Sequence, residues 1–169
     1  MAKLLPIQTL LPQALYLANP AGVTDKQSLY LHLSNALCQN GLINDVSRFI
    51  DSLMERDLMG PTFVADQSFA IPHGQDECVL QPALAMCMFT QPITYDSSTP
   101  FLAGKAEKVF LFALPPHFEA HPAYATLQAF SAALVAPGFV TGFGAGTSYS
   151  DFCQLANSAM SAAVPAGIN

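Results

Sequence analysis

Four short apolar runs in the middle third of the chain, residues 62–65, 69–71, 83–89 and 109–113, constrain its fold more than any other feature. Each has strand length, and Pro, Gly, Asp and Ser separate them. Helical spacing brackets them on both sides. Thr24-Asp25-Lys26-Gln27 reads as a capping box, Leu29, Leu33, Ala36 and Leu37 follow at helical intervals, and Asn40-Gly41 supplies a stop. A second helix is predicted from Asn44 to about Arg56, with Val46, Phe49, Ile50, Leu53 and Met54 as its buried stripe. Beyond the strands, Leu127, Phe130 and Leu134 mark a helix over 122–135, and Phe152, Leu155, Ala156, Ala159 and Met160 mark another from Ser150. One further short strand is expected at 15–17. Helices, then strands, then helices predict an α/β fold: a single domain over residues 1–169, core about 14–162, with a central mixed β-sheet flanked by helices.

Composition removes several functions. Six basic against twelve acidic side chains give a net charge of −6, with no basic cluster to bind nucleic acid or an anionic membrane surface. The apolar stretch after Lys3 is broken by Pro6, Gln8, Pro12 and Gln13, so it is not expected to act as an export signal. Residues 120–150 carry no Asp, Glu, Lys or Arg, but Pro137-Gly138 cuts them and Gln128, Ser131 and Thr141 interrupt them. No membrane insertion is expected. Cys38, Cys78, Cys87 and Cys153 match neither a redox pair nor zinc spacing and read as buried thiols. The sequence contains no metal-ligand set and no cofactor motif. Gly142-Phe143-Gly144-Ala145-Gly146-Thr147 lacks the Lys-Ser/Thr of a phosphate-binding loop and reads as the connection between the last two helices.

Chemistry concentrates in Phe69-Ala70-Ile71-Pro72-His73-Gly74. Proline ends the strand where the histidine emerges, and Gly74 has no Cβ to keep a bulky group from the imidazole. A neutral imidazole offers a nitrogen lone pair near neutral pH, suited to attack on phosphorus. From the pattern alone, an ordinary surface histidine in a Pro-His-Gly turn fits better.

The segment Arg56-Asp57-Leu58-Met59-Gly60-Pro61-Thr62, followed by Ala70-Ile71-Pro72-His73-Gly74, resembles enzyme IIA of the bacterial phosphotransferase system, fructose, mannitol and nitrogen-regulatory type. Gln91-Pro92-Ile93-Thr94-Tyr95-Asp96, the strand-like run from Val109 to Leu114, and Pro137-Gly138-Phe139 before a final helix extend the similarity over roughly residues 24–160. The resemblance implies the mannitol and fructose IIA fold, with His73 accepting phosphate from the histidine phosphocarrier protein. It would pass to a IIB component that serves a IIC permease in sugar uptake. The alternative is a nitrogen-regulatory type of switch without transport. A cytoplasmic location follows from either role.

The resemblance also implies site residues. Arg56 would fork the phosphoryl oxygens, although the helix dipole alone also favours an arginine there. Thr62 would donate its hydroxyl, or simply begin a strand. His121 is the candidate second histidine because it abuts a helix N-terminus, with His117 as competitor. His32, mid-helix, reads as structural. Phe63 and Phe69 are expected to leave an apolar docking surface around His73. Three departures stand out: residues 63–69 hold no glycine where the family is glycine-rich, Pro122 follows His121, and Asp76 and Glu77 lie close to His73.

Overall fold

A computed structural model describes residues 3–64, 67–95 and 104–163 of the 169. Helices α1 (Lys26–Gln39) and α2 (Val46–Met59) precede the sheet, and α3 (Tyr124–Val135) and α4 (Tyr149–Ala163) follow it. The strands are β1 (Tyr16–Ala18), β2 (Phe63–Val64), β3 (Phe69–Ala70), β4 (His73–Gln75), β5 (Ala83–Tyr95) and β6 (Gly104–Leu114). They form one mixed sheet in the order β1-β5-β6-β3-β2, with β4 also paired to β6. The expected architecture is therefore the observed one. None of the described helices is long and apolar enough to cross a membrane.

The β5–β6 hairpin is the spine of the sheet. Its antiparallel register runs from Ala83 opposite Ala113 to Tyr95 opposite Gly104, with an irregularity between Met88 and Ile93. Side chains 83–89 of β5 are all buried, as a strand covered on both faces requires. Both long strands outrun the expected segments. Asp96 and Ala65, parts of two expected segments, lie outside the described residues.

Strands β3 and β4 are one parallel partner of β6 interrupted at Ile71-Pro72. Pro72 cannot donate to the ladder, but its carbonyl accepts from Phe112 N at 3.0 Å, so the register survives the break. His73 then lies opposite Phe112. The glycine-free turn before β3 is accommodated by Ser68, which takes φ 54° where a glycine would be unstrained.

Two helix boundaries differ from expectation. Asp25, not Thr24, caps α1: its carboxylate accepts from Ser28 N at 2.8 Å, and Ser28 Oγ accepts from Asp25 N at 3.1 Å. Helix α2 runs three residues past Arg56 and stops at Gly60, whose φ of 156° disfavours any side chain. The N-terminal segment is also structural. Ile7, Leu10, Leu11 and Leu15 are buried, and Ile7 N donates to Asn157 Oδ1 at 2.8 Å. All four cysteines are free thiols, with Cys78, Cys87 and Cys153 buried and Cys38 partly so.

Candidate functional site

His73 and Arg56 meet because α2 packs tightly against β4. Gly74 permits this approach. A Cβ there would strike Ser52 Oγ and lie 3.1 Å from Cε2 of the buried Phe49 ring. The glycine thus faces a helix, and its side of the backbone is filled by α2.

Arg56, in the last turn of α2, is held at both ends of its guanidinium. Nη1 donates to the Gly60 carbonyl at 3.1 Å, and Nε donates to His73 Nε2 at 2.9 Å. Accepting that bond requires a lone pair on Nε2, so the proton of the neutral ring sits on Nδ1. There it donates to the Ile71 carbonyl at 3.1 Å. The tautomer is set by two fixed partners. His73 is partly buried, and that burial is the chief reason its pKa lies below the ordinary value. The Arg56 charge adds to the lowering, and the Ile71 bond opposes it. The ring is therefore neutral at neutral pH, with the lone pair of Nε2 covered by a guanidinium.

These groups open on a cavity of roughly 380 Å³ lined by Arg56, Thr62 and His73 on one side and by Phe112, Leu127 and Ser131 on another. Thr62 is buried, and its hydroxyl is engaged elsewhere: it donates to Asp57 Oδ1 at 3.1 Å and lies 2.8 Å from Tyr95 Oη. Tyr30 Oη donates to Asp57 Oδ2 at 2.7 Å and lies 3.0 Å from Tyr95 Oη, which closes a ring of four groups. Lys26 Nζ completes the cluster 3.2 Å from Asp57 Oδ2. Burial pushes both phenols well above their ordinary range, so they act only as neutral hydroxyls. Asp57 carries a signal of its own in the sequence. It continues the four-residue steps of the buried stripe Phe49, Leu53, Asp57, where a carboxylate needs partners.

His121 is placed elsewhere. A 3-10 turn (Phe118–Ala120) intervenes after β6, and α3 begins only at Tyr124. The His121 ring stacks on Phe118 at 5.7 Å, and its Nδ1 accepts from Ala123 N at 3.0 Å. It is exposed and lines a separate depression with Lys3, Glu119 and Tyr124. Among the described residues lining the His73 cavity, it is absent. Helix periodicity explains this: α3 turns Leu127 and Ser131, four residues apart, toward the cavity, and His121 precedes the helix altogether.

His117 is exposed on the far side of that turn. It lines a polar depression with Arg48, Gln75, Asp76, Glu77 and Glu119. Arg48 pairs with Asp76 at 2.7 Å and lies 3.7 Å from the exposed Glu77, so one cation partly offsets the two carboxylates. Phe63 and Phe69 are buried and offer no docking surface. Exposed apolar residues on α2 are Met54, Leu58 (78%) and Met59 (82%), and Met54 and Leu58 line a separate depression with Tyr30 and Lys26.

Comparisons with known proteins bear on the family and the fold. Over 97 residues the chain is 26% identical to the PTS system 2-O-alpha-mannosyl-D-glycerate-specific EIIABC component of Escherichia coli K12. That match covers 57% of this chain but only 14% of that relative's length. Among solved structures, the nitrogen regulatory protein IIA-Ntr of Neisseria meningitidis superposes with a TM-score of 0.69 at 17% identity. The alignment covers 89% of this chain and 98% of that one. The Escherichia coli complex of enzyme IIAMtl with phosphorylated enzyme IIBMtl gives 0.64 at 15% identity, covering 88% and 99%. At these identities the likeness shows the fold. The family is shown by a model that matches residues 16–158, and the chain accordingly belongs to the phosphoryl carriers described as Phosphoenolpyruvate-dependent sugar phosphotransferase system, EIIA 2.

Proposed function

We propose that this chain takes a phosphoryl group onto Nε2 of His73 from the histidine phosphocarrier protein and passes it to a IIB domain for sugar uptake. One observation carries the reading: the Nε2 lone pair is free of a proton, its tautomer is fixed by Ile71, and the guanidinium of Arg56 lies 2.9 Å away. In uptake, Arg56 swings off Nε2 and the lone pair attacks phosphorus. An N–P bond forms as the donor's P–N bond breaks, and the released electron pair returns to the donor imidazole. Nδ1 keeps its proton and its carbonyl partner, which stabilises the positive charge that the ring gains. Arg56, displaced by the width of a phosphoryl group, donates to its oxygens instead. Discharge runs the same step outward: a IIB thiolate attacks, an S–P bond forms, and the N–P electron pair returns to Nε2.

Exposed Leu58 and Met59, at the end of the helix that carries Arg56, are apolar surface suited to small, transient contacts. The test is incubation with phosphoenolpyruvate, enzyme I and the phosphocarrier, then with a IIB domain from the same genome. One acid-labile phosphate is expected, lost in His73→Ala and kept in His117→Ala and His121→Ala. Arg56→Ala should slow uptake at least about tenfold. Full labelling of His73→Ala, or a labelled protein that no IIB domain discharges, would refute the reading.

A further inference from the structure

With His121 away from the cavity, the phosphoryl group needs another neutral donor, and one side chain in the wall is unused. The wall around His73 is mostly apolar: Pro61, Phe63, Val64, Ile71, Phe112, Leu114 and Leu127. Its polar side chains are Arg56, Thr62, His73 and Ser131. Thr62 spends its single hydroxyl proton inside the ring with Asp57 and Tyr95. Ser131 is the exception. Half-buried on α3, its hydroxyl makes no hydrogen bond among the described residues, although a helical serine commonly bonds back to the preceding turn.

Its placement is firm. Phe130, the preceding residue, is fully buried and packs edge-on against Phe112 at 6.2 Å, and Phe112 is the register partner of His73. The α3 face that carries Leu127 and Ser131 is thereby held over the strand pair that presents His73.

We infer that Ser131 is a phosphoryl-binding residue of this chain, donating its hydroxyl to an oxygen of the group on His73 opposite the guanidinium of Arg56. A transferring phosphoryl group spreads charge over three equatorial oxygens. Arg56 approaches from the α2 side and Ser131 from the α3 side, so the two cover different oxygens. A serine gives less charge stabilisation than a histidine but holds the product less tightly. The consequence is slower uptake with easy release. Loss of one neutral hydrogen bond corresponds to a rate change of about three- to tenfold.

This inference rests on the proposed acceptor role of His73, and the experiment separates the two. Uptake from the phosphocarrier, the lifetime of the phosphohistidine and its ³¹P resonance are measured for the wild type, Ser131→Ala and Ser131→Thr. Alanine is a better helix former than serine, so the Ser131→Ala protein is expected to fold. The expected result is slower uptake by about three- to tenfold and a moved ³¹P resonance in Ser131→Ala, with both restored in Ser131→Thr. Wild-type protein that labels on His73, with Ser131→Ala matching it in rate and resonance, would overturn the inference alone. Wild-type protein that takes no label at His73 would overturn the acceptor role and this inference with it.

Discussion

Gly74→Ala isolates the contact that brings α2 to β4. The new Cβ would fall on Ser52 Oγ, 3.1 Å from Phe49 Cε2 and 3.4 Å from Ser52 Cβ. Phe49 is fully buried and has nowhere to turn. Ser52 escapes only by giving up its 2.6 Å bond to the Phe49 carbonyl, and even then its Cβ stays in place. The helix must lift, and overpacking of this kind costs about 1–3 kcal/mol. For a chain of this size each kcal/mol lowers the melting temperature by about 2–4 °C. Ser52→Ala alone should stay within about 0.5 kcal/mol of the wild type, since it loses only a local, half-exposed bond. Combined with Gly74→Ala it removes the nearest clash and leaves the Phe49 contact, so most of the loss should return. Urea melts of the four proteins give the coupling energy, expected at about 0.5–2 kcal/mol. Phosphate uptake per folded molecule should follow, because lifting α2 draws Arg56 away from His73. If Gly74→Ala is as stable as the wild type, or its loss is unchanged by Ser52→Ala, the helix-packing role of this glycine is wrong. A glycine kept for phosphate access would show slowed uptake with neither.

Three further outcomes follow from the site. The ring of Asp57, Tyr30, Tyr95 and Thr62 has four oxygen contacts but three hydroxyl protons, so one contact has no proton between its oxygens. Tyr30→Phe, which removes a donor to the carboxylate, should cost about 1.5–3 kcal/mol in a denaturant melt, and Tyr95→Phe only about 0.5–1.5; the reverse order would refute this proton count. Burial holds the His73 pKa below its unfolded value, so the unfolded chain binds that proton more readily. The resulting stability is intact above about pH 6.5 and declines as pH falls toward the lowered native value. Phosphate uptake should be flat through neutral pH and drop only in acid. Thermal melts of the wild type and His73→Gln from pH 8 to 5 check the first point, and an uptake rate already falling between pH 8 and 7 would contradict the second.

The strand that runs into Pro72 and His73 was legible in the sequence, because proline and strand length are local signals. The element order was legible for the same reason. The sequence pattern ends helix α2 three residues short because Leu58 and Met59, exposed and apolar, break the amphipathic pattern that carries a helix forward. Strand β5 was cut at Phe89 because Thr90 and Gln91 are polar and Pro92 follows them; the strand continues through the irregularity between Met88 and Ile93. His121 was drawn to the cavity by its place before a helix, but whether a turn separates histidine from helix depends on how Phe118 and Tyr124 pack. Tyr30, Asp57, Thr62 and Tyr95 have no sequence proximity beyond five residues at best. Only the hairpin and the α1–α2 pair bring them together. Ser131 carries no signal in the sequence beyond being, with Thr126 and Gln128, one of three small or amide polar residues in an apolar helix.

The N-terminal segment sets the order in which this chain can finish folding. Leu5 N donates to Thr126 Oγ1 across 121 positions, Ile7 N to Asn157 Oδ1 across 150, and Tyr149 Oη to the Leu11 carbonyl across 138. Closing loops of that length is entropically costly and is repaid only when both ends are present. Ile7, seated against α4, is therefore covered only once residues 150 positions further along the chain have folded, whereas Leu15 packs against α1 and β5.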